Sequence, residues 1–205
     1  MRPIPPFTQA LIIVNVVIYL LESQAAGLLF HWFALWPGVG KGWASLPLLA
    51  PWQLLSYSFL HGGLTHLAFN MLALWMFGSD LERVWGPRRV AIAYFASVVS
   101  GAVAHLLVGS AFGAGQGPVV GASAGVFGIL LAYALVFPHR KIVPLIPPIP
   151  IPSRVFVALY AGLELYLGVT GTLQGIAHFA HLGGLVGGWW VYRFGRSPPG
   201  NWPKR

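Results

Sequence analysis

Serine and histidine are the residues through which this chain can do nucleophilic or acid–base chemistry. It has no cysteine and only four carboxylates, Glu22, Asp80, Glu82 and Glu164. The missing thiols exclude disulfide scaffolding, cysteine nucleophiles and thiolate metal sites. Three polar constellations stand inside otherwise apolar runs. His66 and Asn70 are four apart and share a helix face. Ser123 sits in Gly121-Ala122-Ser123-Ala124-Gly125, and two histidines occupy Ala177-His178-Phe179-Ala180-His181-Leu182-Gly183-Gly184. A serine hydroxyl is inert until a neighbour takes its proton, which neutral imidazole can do. The same serine also suits plain helix packing, bonded to a backbone carbonyl, so residue type alone leaves both readings open.

The elements that must position these residues are membrane helices. Of 205 residues, 57% are hydrophobic and 8% charged, with a mean hydropathy of +0.72, whereas soluble domains carry roughly a quarter charged residues. Six apolar runs, each near the ~20 residues a span requires, lie at about 7–22, 62–79, 89–109, 120–137, 153–168 and 174–194. They account for an all-α, six-helix bundle forming one domain over 1–205, with no room for a separate soluble domain. Twelve apolar-rich residues, 10–21, followed by Ser23-Gln24-Ala25 also fit a cleaved signal peptide. Only Arg2 marks a basic leader, however, and 4–21 is long enough to span. The Trp-rich 23–61 segment, with Trp32, Trp36, Trp43 and Trp52 broken by Pro37, Pro47 and Pro51, reads as an interfacial outer loop. Five prolines between Pro144 and Pro152 predict an extended inner connector.

Charge sets the orientation. Arg2, Arg83, Arg88, Arg89, Arg140, Lys141, Arg154, Arg193, Arg196, Lys204 and Arg205 fall on one side of the predicted spans and Lys41 alone on the other. The positive-inside rule therefore predicts both termini in the cytoplasm of a cell bounded by its plasma (inner) membrane. Scattered singly or in pairs, these cations form no phosphate-tracking stripe, so a nucleic acid partner is not expected despite a pI near 10.3. The second, fourth and sixth runs then all travel inward, and Asn70, Ser123 and His181 share one depth a few residues below the outer surface. Small-xxx-small glycines, Gly121, Gly125 and Gly128 on the fourth run and Gly184 and Gly188 on the sixth, let the backbones approach and bring hydroxyl to imidazole.

The ordered motifs Pro51-Trp52-Gln53-Leu54-Leu55, Phe59-Leu60-His61 with His66 and Asn70, Leu81-Glu82 with Gly86, Gly121-x-Ser123-Ala124-Gly125, and Ala180-His181-x-x-Gly184-x-x-x-Gly188 closely resemble the rhomboid family of intramembrane serine proteases. The resemblance runs from about Trp36 to Gly188. A lone G-x-S-x-G would be weak, since it also marks soluble hydrolases, but in this order and topology it is specific. It implies Ser123 as nucleophile and His181 as general base and later acid. Asn70, His66 and the Ser123 backbone amide become oxyanion donors. No cofactor or metal is implied, and the substrates are transmembrane proteins within the lipid bilayer. His178, without the glycines that follow His181, reads as a packing or supporting residue, and His61 as structural. Glu164, near the outer end of the fifth run, is within reach of a third position, but the resemblance implies a Ser-His dyad.

Two positions depart from the family pattern. Gln53 stands where arginine usually follows Trp52, removing a cation that can bond loop carbonyls or lipid headgroups. Phe127 stands where tyrosine often stacks on the histidine, which keeps the ring and loses the hydroxyl. Three rival functions follow from the same residues. A catalytically inactive rhomboid-like protein that binds membrane helices would need none of Ser123, His181 and Asn70. A metal site of His61, His66, His178 and His181 matches no compact zinc spacing. A transporter would show inverted repeats with interrupted helices, which are missing here. His31 and His105, with no motif around them, read as satisfied packing residues.

Overall fold

The structure is a computed structural model that describes residues 3–36, 50–109, 117–145, 147–171 and 177–195. Its helices are α1 (Pro6–Phe33), a short α2 (Gln53–Ser56) continued by a 3-10 turn (Tyr57–Phe59), α3 (Leu64–Ala73), α4 (Ser79–Trp85), α5 (Pro87–Ala104), α6 (Ser123–Val136), α7 (Ser153–Thr170) and α8 (His178–Phe194). A π-helical stretch, Leu74–Gly78, joins α3 to α4, and another, His105–Gly109, extends α5. All six apolar runs are helical over most of their length. Among the described residues, Pro6–Phe33 and Pro87–Leu107 are long and apolar enough to cross a bilayer.

Two expectations need correction. α1 continues to Phe33 rather than ending near residue 22. The polar Ser23-Gln24 pair that suggested an end is followed by no proline until Pro37. The helix absorbs the interruption as a kink at Ala25 (φ −143°, ψ 36°). The segment after the first helix therefore starts later than expected, and Trp32 lies in the last turn of α1. Pro37, Lys41, Trp43 and Pro47 lie outside the described residues. The proline-rich connector is non-helical, as expected, but Lys141–Ile142 (β1) pairs antiparallel with Ile151–Pro152 (β2), Lys141 opposite Pro152 and Ile142 opposite Ile151. Ser153 Oγ closes the hairpin with a 2.6 Å bond to the Phe137 carbonyl.

α5, α6 and α8 pack most intimately, through two glycine pairs on α8. Gly183 and Gly187 face α5, where a methyl on Gly183 would come within 2.5 Å of Ala104 Cβ and the Ser100 carbonyl. Gly184 and Gly188 face α6, against the carbonyls of Ala124 and Gly128. The sequence reading identified the second pair; the first shows that α8 is wedged between two helices. Ser100 Oγ adds a 2.7 Å interhelical bond to the Gly183 carbonyl. Tyr94, Val98, Ile129 and Val191 fill the core between them. The outside of the bundle is apolar, with Leu20, Leu28, Phe69, Leu107, Leu159 and Tyr166 exposed, a surface that water would penalise.

Charged side chains gather the helix ends opposite the site. Glu82 accepts from the Phe7 and Thr8 amides (2.9 and 2.8 Å) and the Thr8 hydroxyl (2.7 Å). It thereby caps α1, whose first-turn amides have no helical partner. Asp80 pairs with Arg83 at 2.9 Å and Arg140 at 2.6 Å. Arg83 also donates to the Pro3 carbonyl, and Arg89 to the Val191 and Tyr192 carbonyls in the last turn of α8. The start of α1, the α4–α5 junction, the hairpin and the end of α8 therefore meet at one end of the molecule.

Candidate active site

Ser123 opens α6, and the chain is pinned as it arrives there. Leu35 and Val119 exchange backbone bonds of 3.0 and 2.8 Å, and the Gly121 amide donates to the Tyr57 carbonyl at 2.9 Å. Gly121 has φ 125°, a left-handed conformation that glycine adopts without strain. The His66 ring occupies the space beside it, where a methyl would lie 2.5 Å from Cε1 and 2.7 Å from Nε2. The turn thus delivers Ser123 against α8, where its Oγ lies 2.8 Å from His181 Nε2. The imidazole is clamped from the side by Phe127, one helical turn beyond Ser123, with ring centroids 4.4 Å apart and planes 6° from parallel. A hydroxyl bonded to an imidazole of fixed orientation is the arrangement from which a proton can leave as oxygen attacks a carbonyl.

Asn70, His66, Ser123, His178 and His181 line one cavity of about 1100 Å³. Asn70 is buried and donates from Nδ2 to the His66 carbonyl at 3.0 Å, which ties its amide to the helix. His66 also meets His61 edge to face, 5.2 Å between centroids. The Ser123 N–H belongs to the first turn of α6, at the positive end of the helix dipole.

On the far side of His181 stands Glu164 of α7. Its Oε2 lies 3.0 Å from His181 Nδ1 and 2.7 Å from His178 Nδ1. The sequence reading left this carboxylate out of the site; the clue to it was its depth near the outer end of the fifth run. Among the described residues, His178 bonds through Nδ1 to Glu164, whereas Ser123 Oγ is met by His181.

A profile of the rhomboid domain matches residues 49–197. This chain belongs to the rhomboid family. It is 34% identical over 141 residues to the rhomboid protease GluP of Bacillus subtilis (strain 168), covering 68% of this chain and 25% of that protein. It is 32% identical over 145 residues to the mitochondrial rhomboid protein 1 of Saccharomyces cerevisiae, covering 68% and 41%. The human mitochondrial presenilin-associated rhomboid-like protein is 30% identical over 159 residues, covering 75% and 40%. The chain thus spans about a quarter to two fifths of the length of these relatives. Rhomboids are integral membrane proteins, generally intramembrane serine proteases.

In this rhomboid the two departures from the family pattern have physical accounts. Gln53 is buried, and its Nε2 donates to the Trp32 carbonyl at 3.2 Å, beside Trp52 Nε1 at 2.9 Å. A neutral amide therefore bonds the Trp32 carbonyl in the last turn of α1, where a cation was expected to serve. Phe127 keeps the ring stack. The metal rival needs correction: the described histidines and carboxylates with metal-compatible spacing are Glu164, His178 and His181, not His61 and His66. The His61 amide donates to Glu22 Oε1 at 3.0 Å and ties the loop to α1, while neither nitrogen of its buried ring is hydrogen-bonded among the described residues. His105 is buried on the cavity wall, and neither ring nitrogen is hydrogen-bonded among the described residues, so the expectation of a satisfied packing residue is not met there.

Proposed function

We propose that this rhomboid is a serine endopeptidase that hydrolyses peptide bonds in or near transmembrane segments of other membrane proteins. The observation that carries the reading is the 2.8 Å approach of Ser123 Oγ to His181 Nε2 on the wall of a cavity of about 1100 Å³. Ser123 Oγ attacks the scissile carbonyl as His181 Nε2 takes its proton. The negative oxygen is met by the Ser123 N–H, Asn70 Nδ2 and His66, donors that act on charge developing only in the tetrahedral intermediate. Collapse expels the amine, which receives the proton from His181. A water molecule then enters by the same route and releases the acyl group, His181 serving again as base and acid. The three constituents that a helix-binding, inactive relative could dispense with are all present here.

In this reading the six helical runs span the membrane, the segment between the end of α1 at Phe33 and residue 61 contributes the interfacial outer loop, and both termini face the cytoplasm. The bonds of Arg83, Arg89 and Arg140 at one end, with the candidate site toward the other, support that sidedness. Neither metal nor nucleotide enters the reaction. The deciding experiment is cleavage of a generic single-span substrate by purified protein in liposomes. Wild type should cut with EDTA present and Ser123→Ala should not. Cleavage by Ser123→Ala equal to wild type would overturn the reading.

A further inference from the structure

The geometry points to Glu164 as a positioning residue that holds His181 in its working tautomer, turning the expected dyad into a Ser123–His181–Glu164 chain braced by His178. The inference rests on the catalytic reading of Ser123 and His181 and extends it to a residue on a different helix.

The argument starts from the cost of the carboxylate. Glu164 is 7% exposed on a helix whose neighbours Leu159, Leu163, Leu165 and Tyr166 face outward as apolar surface. An ionised carboxylate removed from water is expensive unless its oxygens are hydrogen-bonded. Among the described residues its hydrogen bonds are to His178 Nδ1 and His181 Nδ1, both on the same oxygen. The histidines are three apart on α8, which places both rings over one side of the helix and lets them converge on α7.

The tautomer follows from that convergence. An ionised carboxylate only accepts, so each Nδ1 facing it carries a proton. His181 Nε2 is then the nitrogen with the lone pair, and it is the one 2.8 Å from Ser123 Oγ. Without Glu164 the proton is free to sit on Nε2, and the ring would donate to the serine instead of receiving from it. Three contacts therefore fix this imidazole: Phe127 its plane, Glu164 its Nδ1 and Ser123 its Nε2. During turnover the proton moves from Ser123 to Nε2 and on to the leaving amine. Glu164 stays ionised throughout, facing the imidazolium that forms. In serine proteases built on this logic, replacing the orienting carboxylate by its amide lowers kcat about 10⁴-fold with the geometry intact.

The test uses full-length protein reconstituted in liposomes, with Glu164→Gln, Glu164→Asp, Ser123→Ala and wild type compared. Glu164→Gln should lower kcat by about 10³–10⁴-fold and slow fluorophosphonate labelling in parallel, with KM nearly unchanged, as expected for an interaction realised in the transition state. Glu164→Asp should recover part of the loss. A second readout needs no Glu164 variant: with ¹⁵N-labelled histidine, the resting His181 of wild type and of Ser123→Ala should carry its proton on Nδ1. Turnover by Glu164→Gln within a few fold of wild type, or a resting His181 protonated on Nε2, would overturn the inference. Either result with Ser123→Ala inactive would leave proteolysis standing. Inactivation by EDTA with recovery on adding zinc would overturn both, making Glu164, His178 and His181 metal ligands.

Discussion

The imidazole of His181 lies flat on the ring of Phe127, 4.4 Å between centroids and 6° between planes. Stacking of this kind contributes about 0.5–1.5 kcal/mol beyond area burial, and here it sets the plane in which Nε2 reaches Ser123. Phe127→Tyr should keep activity near wild type, because the ring is retained. Phe127→Ala should lower kcat severalfold, up to about tenfold. Rates of fluorophosphonate labelling for the two variants check this, and equal rates would show that the stack does not position the base.

A second prediction concerns the wedge of α8. A methyl on Gly184 would run into the Ala124 backbone, whereas at Gly162 on α7 nothing lies within 4 Å. Gly184→Ala should destabilise by about 1–3 kcal/mol, the usual cost of overpacking, and also weaken labelling, because it forces α8 away from the helix that carries Ser123. Gly162→Ala should be neutral or stabilise by up to about 1 kcal/mol, since alanine is the better helix former. Thermal unfolding in one detergent compares the pair directly.

These relationships differ in how far they could be read from the chain. Helical runs and the close approach of α6 and α8 follow from apolar length and from Gly184 and Gly188, which are local patterns. The end of α1 does not, because the Ser23-Gln24 pair looks like a terminus, yet the helix passes through a kink at Ala25 and continues to Phe33. The Ser123–His181 contact was legible from shared depth and glycine spacing. Glu164 was legible only as a depth; its choice of histidine depends on the rotation of α7 about its own axis, which a helix with lipid on one side and protein on the other does not declare through periodicity alone. Gln53 was read as a lost cation because its partner, the Trp32 carbonyl, is 21 residues away.

Asn70 tests the oxyanion assignment. Its Nδ2 donates to the His66 carbonyl at 3.0 Å in the resting structure, leaving its second N–H for a developing oxyanion. Asn70→Ala should lower kcat about 10²–10³-fold with little change in KM, while the purified protein unfolds at a temperature close to that of wild type. A fall confined to KM would assign Asn70 to substrate binding instead.

Orientation is tested from outside the site. Eleven of the twelve basic residues fall on the predicted inner side. A reporter fused after Arg205 should be active only when it reads the cytoplasm. Activity confined to the opposite side would invert the bundle, and Ser123 and His181 would then open toward the cytoplasm.

The last prediction separates the two histidines that share Glu164. His181 alone contacts Ser123, at 2.8 Å, so His181→Ala removes the base and should abolish both turnover and fluorophosphonate labelling. His178 acts one step back: its Nδ1 holds Glu164 Oε2 at 2.7 Å, while the 3.0 Å bond from His181 to the same oxygen remains when His178 is gone. The carboxylate then keeps one of its two donors, and losing a hydrogen bond to a charged group costs about 1.5–3 kcal/mol. Only the part of that loss felt at His181 reaches the rate. His178→Ala should therefore retain measurable labelling, with kcat reduced by about tenfold or less. If His178→Ala were inactive and His181→Ala active, α8 would be misplaced by one turn, and the base with it.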